Sequence, residues 1–580
     1  MTTATNGDAA ISHRQVLQAL SGLFLAMFVA MLSGTIVANA LPPILADLGG
    51  TQEQYTWVVT STLLAATAVT PIWGKLSDRM NKKLLVQLAI TIFVLGSILA
   101  GFAQSTSMLI GFRVLQGVGM GGLQALVQIV LGSLVSPRER GRYMGYFGAV
   151  MAVATVGGPV LGGFIVDAGF LGWRWCFWVG APVAVVSLVL LQRTLHLPVL
   201  KITTPIDWRG ALLIPGGISI LLVWVTFAGE SFAWVSWTSL ACIGAGMLVI
   251  VAAVLAERRA VDPVVPPRLM RQRTMTLAIV ASVAVGISMF GAPVFFAQYF
   301  QVARGFAPME SGLLTIPMVV GLMLATTITG QLVSRTGRWK RFLVGGTSLI
   351  IVGLALLSTI DHTTPVWHVN IYMGVMGIGV GSTMQNLVLA AQNRLDYRDL
   401  GAGTSTVTFF RTLGGATGVS VLGAILATRV TSSIAEGLRG LQGDAGGADA
   451  AQLGGSTSLD VSELPSPVRT VVEQAYADAT ALVFGVSVFA AVIAFVAVLF
   501  LREDTLRTTI RSAGEYGDEY SAAEHGNASG AGAHIGDGAY SDDGEYGDGG
   551  VHGGGVYGDD GGPVERPASY RNGVTCRHRF

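Results

Sequence analysis

Two arginines lie inside long apolar stretches of the chain, where a charged side chain needs an explanation. Arg113 falls in the apolar run 108–132, and Arg411 lies about nine residues into the run 402–430, roughly 14 Å along an α-helix. A charge in an apolar span is costly, so a functional role is the first hypothesis for Arg113. For Arg411 two interpretations stay open: the side chain faces a wet cleft, or it pairs with backbone carbonyls.

Polar side chains continue from Arg113 along the same run. They recur at intervals of three and four residues, which places them on one stripe of a helix: Gln116, Met120, Gln124 and Gln128. Such a stripe needs water, a substrate or another helix beside it. Hydrogen bonding between helices and lining of a cavity are equally good interpretations for these glutamines. The same two interpretations apply to Gln385 and Asn386 in the run 367–391.

The composition indicates what kind of protein positions these side chains. Of 580 residues, 51% are hydrophobic and 12% are charged, and the mean hydropathy is +0.59. Since about 20 apolar residues cross a bilayer core, we predict an integral membrane protein and exclude soluble, fibrous and disulfide-rich classes. The three scattered cysteines, Cys176, Cys242 and Cys576, predict neither a disulfide framework nor a metal cluster.

Apolar runs bounded by charges, Gly or Pro predict an all-α fold with fourteen transmembrane helices. The predicted spans are 16–41, 55–75, 84–103, 108–132, 143–167, 173–193, 209–229, 236–256, 275–299, 309–333, 341–360, 367–391, 402–430 and 478–501. The polar residues that precede the first run lead into an apolar segment too long for a signal peptide, so we expect this span to be retained.

Lys and Arg alternate between the loops, and this alternation predicts the topology. The loops after even-numbered spans carry the bases, whereas the short loops after odd-numbered spans are nearly bare. By the positive-inside rule both termini, including residues 1–15, are cytoplasmic, and we expect a multi-pass protein of the inner or plasma membrane. The long loop 431–477, rich in Gly, Ser, Asp and Pro, is expected to be an external flexible segment.

The C-terminal part, residues 502–580, has a different composition. Between Ser512 and Gly562 it holds eleven acids and no Lys or Arg, so that 36 bases face 24 acids in the rest of the chain. A low-complexity Gly, Asp and Tyr sequence cannot bury a core. A disordered, acidic cytoplasmic tail is the favoured interpretation, and a regulatory or partner-docking tail is the alternative.

A short motif occurs twice. Gly74 to Lys83 follows the second span and Gly330 to Trp339 follows the tenth, with Gly, Leu and Arg matching in register. This repetition predicts two parallel six-helix bundles, 16–193 and 275–501, with two linker helices, 209–256, inserted between them. In the two turns, Asn81 and Gly337 are expected to take a positive φ.

From about residue 16 to 501 the chain resembles the major facilitator superfamily, in particular its fourteen-span branch of drug and proton antiporters. The segment from Gly74 to Lys83 resembles the superfamily signature between helices 2 and 3. The resemblance implies that Gly74, Asp78 and Arg79 form a latch between the two halves. Asn81 stands here in place of a Gly of that signature.

Two more signatures fall in the first bundle. The pattern Leu109-x-x-x-Arg113-x-x-Gln116-Gly117 resembles one that implies a role of Arg113, Gln116 and Gly117 in proton coupling and transport. The segment 157–163 resembles the antiporter signature of exporters, through Gly158, Pro159, Gly162 and Gly163. Small residues and a proline bend suit a surface on which the two halves rock against each other. This resemblance implies export.

One residue departs from the branch. The branch typically carries an Asp in span 1, and Ser33 occupies that place. Serine does not titrate in the physiological range, so the proton carrier is not identified, and three acids remain near the span boundaries: Asp167, Glu230 and Glu310. The segment from Arg411 to Gly418 also resembles the branch. The candidate substrate cavity comprises Ser33, Asn39, Gln124, Gln385, Asn386 and Arg411.

No Walker P-loop, zinc signature or nucleophile elbow stands out in any cytoplasmic segment large enough to fold as a catalytic domain. We therefore expect no enzyme, no cofactor and no metal. The primary hypothesis is a secondary exporter of amphiphilic compounds, as in multidrug efflux and antibiotic resistance, driven by protons through alternating access. The expected partners are a small amphiphilic substrate, protons and the lipid bilayer, without nucleic acid, and the expected state is a monomer. The alternatives are a dedicated exporter of an endogenous lipid or metabolite and, more distantly, a non-transporting membrane scaffold.

Overall fold

The computed structural model describes residues 13–49, 52–167, 172–195, 207–228, 232–260, 263, 265–306, 308–396, 399–441 and 466–506. Four predicted features fall wholly or largely outside these residues: the N-terminal segment, most of the external loop, Glu230 and the tail beyond residue 506.

The described ranges contain seventeen helices, numbered here in chain order. They are α1 His13–Leu48, α2 Gln52–Arg79, α3 Lys82–Gly101, α4 Thr106–Leu134, α5 Pro137–Asp167, α6 Trp175–Trp178, α7 Gly180–Thr194, α8 Trp208–Phe227, α9 Trp237–Arg259, α10 Pro267–Met270, α11 Arg273–Gln298, α12 Pro308–Leu314, α13 Ile316–Thr336, α14 Lys340–Leu357, α15 Val366–Gln392, α16 Leu400–Leu441 and α17 Ser466–Leu499. A π-helical turn, Tyr299–Ala303, continues α11. Within these ranges the only extended pairing is one bridge between Ala228 and Phe232.

The all-α membrane fold is confirmed. Twelve helical segments of the described chain are long and apolar enough to cross a membrane. Helices α5 and α8 occupy the other two predicted positions, so the total of fourteen spans stays a prediction. Two spans are broken by short interruptions: α6 and α7 meet at Val179, and α12 and α13 meet at Thr315. Prolines 182 and 317 lie in the first turns of α7 and α13, where a missing N–H is tolerated.

Several boundaries differ from the prediction. Helix α5 begins at Pro137 instead of residue 143, because proline suits a helix's first position. The predicted flexible loop 431–477 is helical at both ends, since α16 continues to Leu441 and α17 begins at Ser466. Gly337 ends α13 with the expected positive φ of 70°. Asn81 does not: its φ is −60°, and its side chain accepts a bond from the Lys83 N–H as the N-cap of α3.

The helices of each predicted bundle pack around apolar cores. In the first, Leu20, Leu23 and Phe93 belong to one cluster of buried side chains. In the second, Phe296 and Phe484 lie in ring contact, with centroids 4.9 Å apart. Because side chains of this size fill the interior of each bundle, the polar residues named above are confined to the contacts between particular helices.

Helix α8 lies on both bundles. Ile218 shares an apolar cluster with Leu64 of α2 and Phe409 of α16. The ring of Trp57 in α2 stacks on Phe227 at the end of α8, with centroids 4.4 Å apart. The first linker helix therefore covers the seam between α2 and α16.

The first residues of the predicted tail are ordered. The Trp339 ring N–H donates to the Asp504 carbonyl at 3.0 Å, and Asn393 donates to the Thr505 carbonyl at 3.2 Å. The Asp504 carboxylate takes two bonds from Arg394, at 2.5 and 2.8 Å, and Leu506 is buried. Residues 502–506 thus form a strap across the ends of α14 and α15, and the expectation that disorder begins at residue 502 is wrong.

Candidate functional site

The end of the molecule at which α2, α4, α13 and α15 finish is called the basic end here, because its turns carry Lys and Arg. Helices α3, α5, α14 and α16 begin at the same end. The two bundles meet there through bonds of Asp78, Arg138 and Arg140.

Arg113 is held by uncharged groups. Its Nε donates to the Val58 carbonyl of α2 at 3.2 Å, and its Nη1 donates to Gln116 Oε1 at 2.7 Å. The Gln116 amide in turn donates to Ser33 of α1 at 3.2 Å and to Ser97 of α3 at 2.5 Å. The network ties four helices of the first bundle together. Gln116 thus forms interhelical bonds, one of the two interpretations left open for it.

Gly117 and Gly96 make room for this network. A Cβ at Gly117 would overlap the Thr62 carbonyl of α2, and one at Gly96 would lie 2.6 Å from the Gln116 backbone nitrogen. Glycine at these positions lets α4 approach α2 and α3 closely enough for side chains to bond across the interfaces. Gly117 is therefore placed as a packing residue beside the network.

Asp78 joins the two bundles. Its carboxylate accepts the Gly401 N–H at 2.7 Å and the Ala402 N–H at 2.8 Å, and these donors belong to the first turn of α16. The first N–H groups of a helix have no partner within the helix, and its N-terminus favours a negative charge. The Asp78 carboxylate therefore caps α16 from the other bundle. Arg79 is buried next to it, only 8% exposed.

Both copies of the repeated motif bring helices of the two bundles into backbone contact. A Cβ at Gly74 would overlap Ser405 of α16, and a Cβ at Gly330 would overlap the Gly141 carbonyl of α5. At the second contact, the Arg138 guanidinium donates to the Ser334 carbonyl at 3.4 Å. At the basic end, the two glycines thus let α2 lie close against α16 and α5 close against α13.

Arg140 is a functional candidate that its sequence position does not indicate, since its place after Ser136 and Pro137 is typical of a loop. It lies in the first turn of α5, 4% exposed. Its guanidinium donates to Gln392 Oε1 of α15 at 2.7 Å and to the carbonyls of Val135 and Gly132. Gln392 donates in turn to Thr404 of α16 at 2.9 Å.

Gln128 belongs to the same junction, because its carbonyl accepts a bond from the Gln392 amide at 3.4 Å. Its own side-chain oxygen, Oε1, is buried and has no hydrogen-bond partner among the described residues. Gln124, one turn away, is half-buried. The polar stripe of α4 therefore runs from the Arg113 network to the junction between the bundles. In the sequence, this stripe is indicated only by the spacing of its polar residues at intervals of three and four.

The glycines of the segment 157–163 lie within the first bundle. A Cβ at Gly158 would overlap the Thr35 hydroxyl of α1, and one at Gly162 would lie 3.0 Å from the Ile36 carbonyl. Thr35 also donates to the Ala154 carbonyl at 3.2 Å. The atoms nearest to these two glycines belong to α1, so the glycines allow α5 to pack on α1 within the first bundle. A role of this segment in rocking between the two halves stays a prediction. The side chain of Pro159 and the surroundings of Gly163 lie outside the described residues.

Arg411 contrasts with Arg113. Its side chain is 5% exposed, yet no described residue forms a hydrogen bond or ion pair with its guanidinium, and Nη1 is fully buried. Gln385 Oε1 also has no partner among the described residues. The Asn386 amide bonds back to the Ser382 carbonyl at 2.7 Å. Gln385, Asn386 and Arg140 border a small cavity of about 10 Å³ between the bundles, about the size of one water.

The remaining candidates separate into those described and those not. Ser33 is buried in the Arg113 network, and Glu310 lies exposed in the first turn of α12. The side chains of Asn39 and Asp167 lie outside the described residues, as does Glu230. Within the described part of the chain no carboxylate pairs with Arg113 or Arg411.

Most of the chain is similar to known transporters. A model of the Major Facilitator Superfamily matches residues 23–419. An uncharacterized MFS-type transporter of Mycobacterium tuberculosis (strain ATCC 25618 / H37Rv) is 36% identical over 500 residues, which is 86% of this chain and 71% of that one. The multidrug transporter protein MdtP of Bacillus subtilis (strain 168) is 35% identical over 412 residues, covering 71% and 75%.

A solved structure shares the fold. The crystal structure of the human organic anion transporter MFSD10 (TETRAN) matches 82% of this chain and 99% of its own, with a TM-score of 0.55 and 13% identity. Identity this low carries information about the fold alone. The family model and the two relatives decide the assignment: the chain belongs to the major facilitator superfamily of transporters, with relatives of the multidrug-efflux type.

Proposed function

We propose that this protein is a proton-coupled exporter of amphiphilic compounds that works by alternating access, with its basic end and both termini in the cytoplasm. The relative named as a multidrug transporter supports the substrate class. The excess of Lys and Arg in the turns of the basic end supports the orientation. The plasma membrane is the corresponding location.

One observation carries the mechanism: the two bundles meet at the basic end through bonds that can break without covalent change. Asp78 caps α16, and Arg140 reaches Gln392. Each bond to a charged group contributes about 1.5–3 kcal/mol, which suits an equilibrium between two states separated by a few kcal/mol. Breaking these contacts opens the space between the two bundles to the cytoplasm, and re-forming them closes it.

Proton coupling is assigned to the network of Arg113, Gln116 and Ser33. A permanently charged guanidinium raises the free energy of a second cation nearby and lowers that of an anion. If alternating access opens a cleft near this network, a proton carried by the substrate or by water in it has a free energy that depends on whether the cleft is open. The role of Arg113 is electrostatic, and Ser33 contributes no titrating group.

The test is flux of a fluorescent amphiphile into inside-out membrane vesicles with an imposed pH gradient, acidic inside. We expect uptake that stops when nigericin dissipates the gradient, with vesicles lacking the protein as the control. Uptake that persists unchanged without the gradient would contradict proton coupling. No uptake of any amphiphile by vesicles that hold folded protein would contradict export.

A further inference from the structure

Arg411 shares a face of α16 with Thr404, which takes part in the junction between the bundles. It follows Thr404 by seven residues, two helical turns, so the two side chains point in nearly the same direction. Thr404 accepts the bond from Gln392 at this junction. Arg411 is therefore about 10 Å deeper than that bond, measured along the helix from the basic end.

Gln385 reaches the same level from α15. It precedes Gln392 by seven residues, again two turns on one face, and α15 runs antiparallel to α16. Neither Gln385 Oε1 nor Arg411 Nη1 has a partner among the described residues, although both atoms are buried. The half-buried Gln124 of α4, one turn beyond Gln128, approaches this level from the other bundle.

The guanidinium of Arg411 is buried at this depth and lacks a hydrogen-bond acceptor among the described residues. Burying a cation costs several kcal/mol unless an acceptor compensates it. Arg113 has acceptors in Val58 and Gln116, but the described residues supply none to Arg411. A planar fork of N–H donors is well matched to a carboxylate, sulfonate or phosphate, which it binds through two parallel bonds.

We infer that Arg411 binds the anionic head group of the exported amphiphile, at a depth that the amides of Gln385 and Gln124 also approach. This inference rests on the export function proposed above and specifies its substrate class. The site favours a carboxylate or sulfonate over a neutral group of the same size, and it disfavours a quaternary ammonium because of the repulsion between two buried cations.

The test compares three probes that share one apolar body: pyrenebutyrate, its methylamide and pyrenebutyl-trimethylammonium. Binding is measured by fluorescence on the purified full chain in phosphatidylcholine nanodiscs without a pH gradient, and uptake is measured separately in vesicles. We expect the wild type to bind the carboxylate most tightly. Arg411→Gln should weaken carboxylate binding about 10- to 100-fold, as for loss of bonds to a charged group, and change amide binding less than about twofold.

Arg429→Gln is the matched control, because Arg429 is exposed on the same helix; it should leave all three affinities unchanged. Arg411→Lys should keep part of the preference for the carboxylate, since it keeps the charge without the fork. Equal losses for carboxylate and amide in Arg411→Gln would overturn the inference and indicate a structural role. So would wild-type binding that ignores the head group.

Measuring binding and uptake separately distinguishes a failure of the anion site from a failure of the proposed export function. Carboxylate binding that depends on Arg411 without any uptake would contradict the export function while leaving the anion site supported. Uptake with no dependence on the head group would do the reverse. The protein is also reconstituted in nanodiscs of phosphatidylglycerol in place of phosphatidylcholine. If this lipid weakens carboxylate binding by the wild type and not by Arg411→Gln, the site takes a lipid phosphate, and the assignment to the exported amphiphile is overturned.

Discussion

Arg113 donates to a backbone carbonyl and to an amide oxygen, and neither acceptor carries a charge. These dipoles stabilise the positive charge of Arg113 but do not neutralise it. A nearby cation or anion still experiences that charge, more strongly in a low dielectric than it would in water. At the residue scale, the chemistry proposed for this protein is the electrostatic field of the two buried guanidinium groups that lie within predicted spans, Arg113 and Arg411.

Replacing Arg113 with Ala should lower export at least about tenfold, because it removes two bonds of about 1.5–3 kcal/mol each to a charged group. Membrane insertion should not suffer, since the loss of a buried charge favours it. Flux per folded molecule is the measurement, with Arg113→Lys as the companion variant. Partial activity of the Lys variant indicates an electrostatic role, and wild-type flux in the Ala variant would remove Arg113 from the mechanism.

Ser33→Asp should change both selectivity and coupling. The new carboxylate would lie beside the Gln116 amide, to which Ser33 is now bonded at 3.2 Å, and so within the Arg113 network. It adds a titratable group and a countercharge. We expect cationic amphiphiles to gain relative to anionic ones and flux to depend more steeply on the pH gradient. Ser33→Asn is the uncharged control. An unaltered profile in Ser33→Asp would show that this position does not face the transport path.

At the scale of the elements, the sequence predicted where helices occur better than what they touch. Apolar runs of about 20 residues must become helices in a bilayer, because no other local structure satisfies their backbone. Asp78 of the motif at Gly74 accepts a bond from Gly401 of α16, a contact of the kind that the proposed latch requires. The partner of Gly158 could not be derived, because a small residue permits close approach to any neighbour.

Arg140 shows the same limit from the other side. A base after Ser136 and Pro137 is predicted to lie in a solvated turn, and by charge alone it counts toward the positive-inside rule. Only the three-dimensional approach of α15 gives it Gln392 as a partner and buries it. The sequence also could not decide whether each polar side chain bonds to another helix or lines a cavity. In the structure Gln116 bonds between helices, whereas Gln385 Oε1 has no partner in the described part of the chain.

Gly158→Ala and Gly157→Ala form a matched pair for the α1–α5 contact. A Cβ at Gly158 would overlap the Thr35 hydroxyl, whereas one at Gly157 would meet nothing nearer than Leu32 at 3.6 Å. Overpacking of this kind costs about 1–3 kcal/mol. We expect Gly158→Ala to lower the thermal unfolding temperature of the purified protein and its flux, and Gly157→Ala to do neither. Equal behaviour of the two variants would contradict the close packing.

At the scale of the whole molecule, the two contacts at the basic end act together. Arg140→Gln with Asp78→Asn should weaken both and shift the molecule toward a state open at this end. Spin labels at Arg142 and Thr336, exposed on α5 and α13, report that opening as a longer distance in pulsed resonance measurements. Each single change should have a smaller effect. An unchanged distance distribution in the double variant would show that neither contact holds the bundles together.

The strap at residues 502–506 gives a prediction about the tail. Deleting residues 512–580 leaves the strap intact and should leave flux per molecule within about twofold of the wild type, because an acidic low-complexity segment adds no apolar burial. Deleting 502–580 also removes buried Leu506 and the carbonyls that bind Trp339 and Asn393. Asn393 directly follows Gln392, so this loss should loosen the end of α15 at the junction and lower flux severalfold.

The contributions can be ranked by size. The Arg394–Asp504 pair is partly exposed, with side chains 42% and 35% accessible, and such a pair contributes about 0.2–1 kcal/mol. Burial of a Leu side chain contributes about 1.5–3 kcal/mol. Asp504→Ala should therefore reduce flux less than Leu506→Ser, with abundance measured alongside to normalise each value. If the 512–580 deletion already lowers flux severalfold, the tail beyond the strap is regulatory, and the expectation that only residues 502–506 affect flux is contradicted.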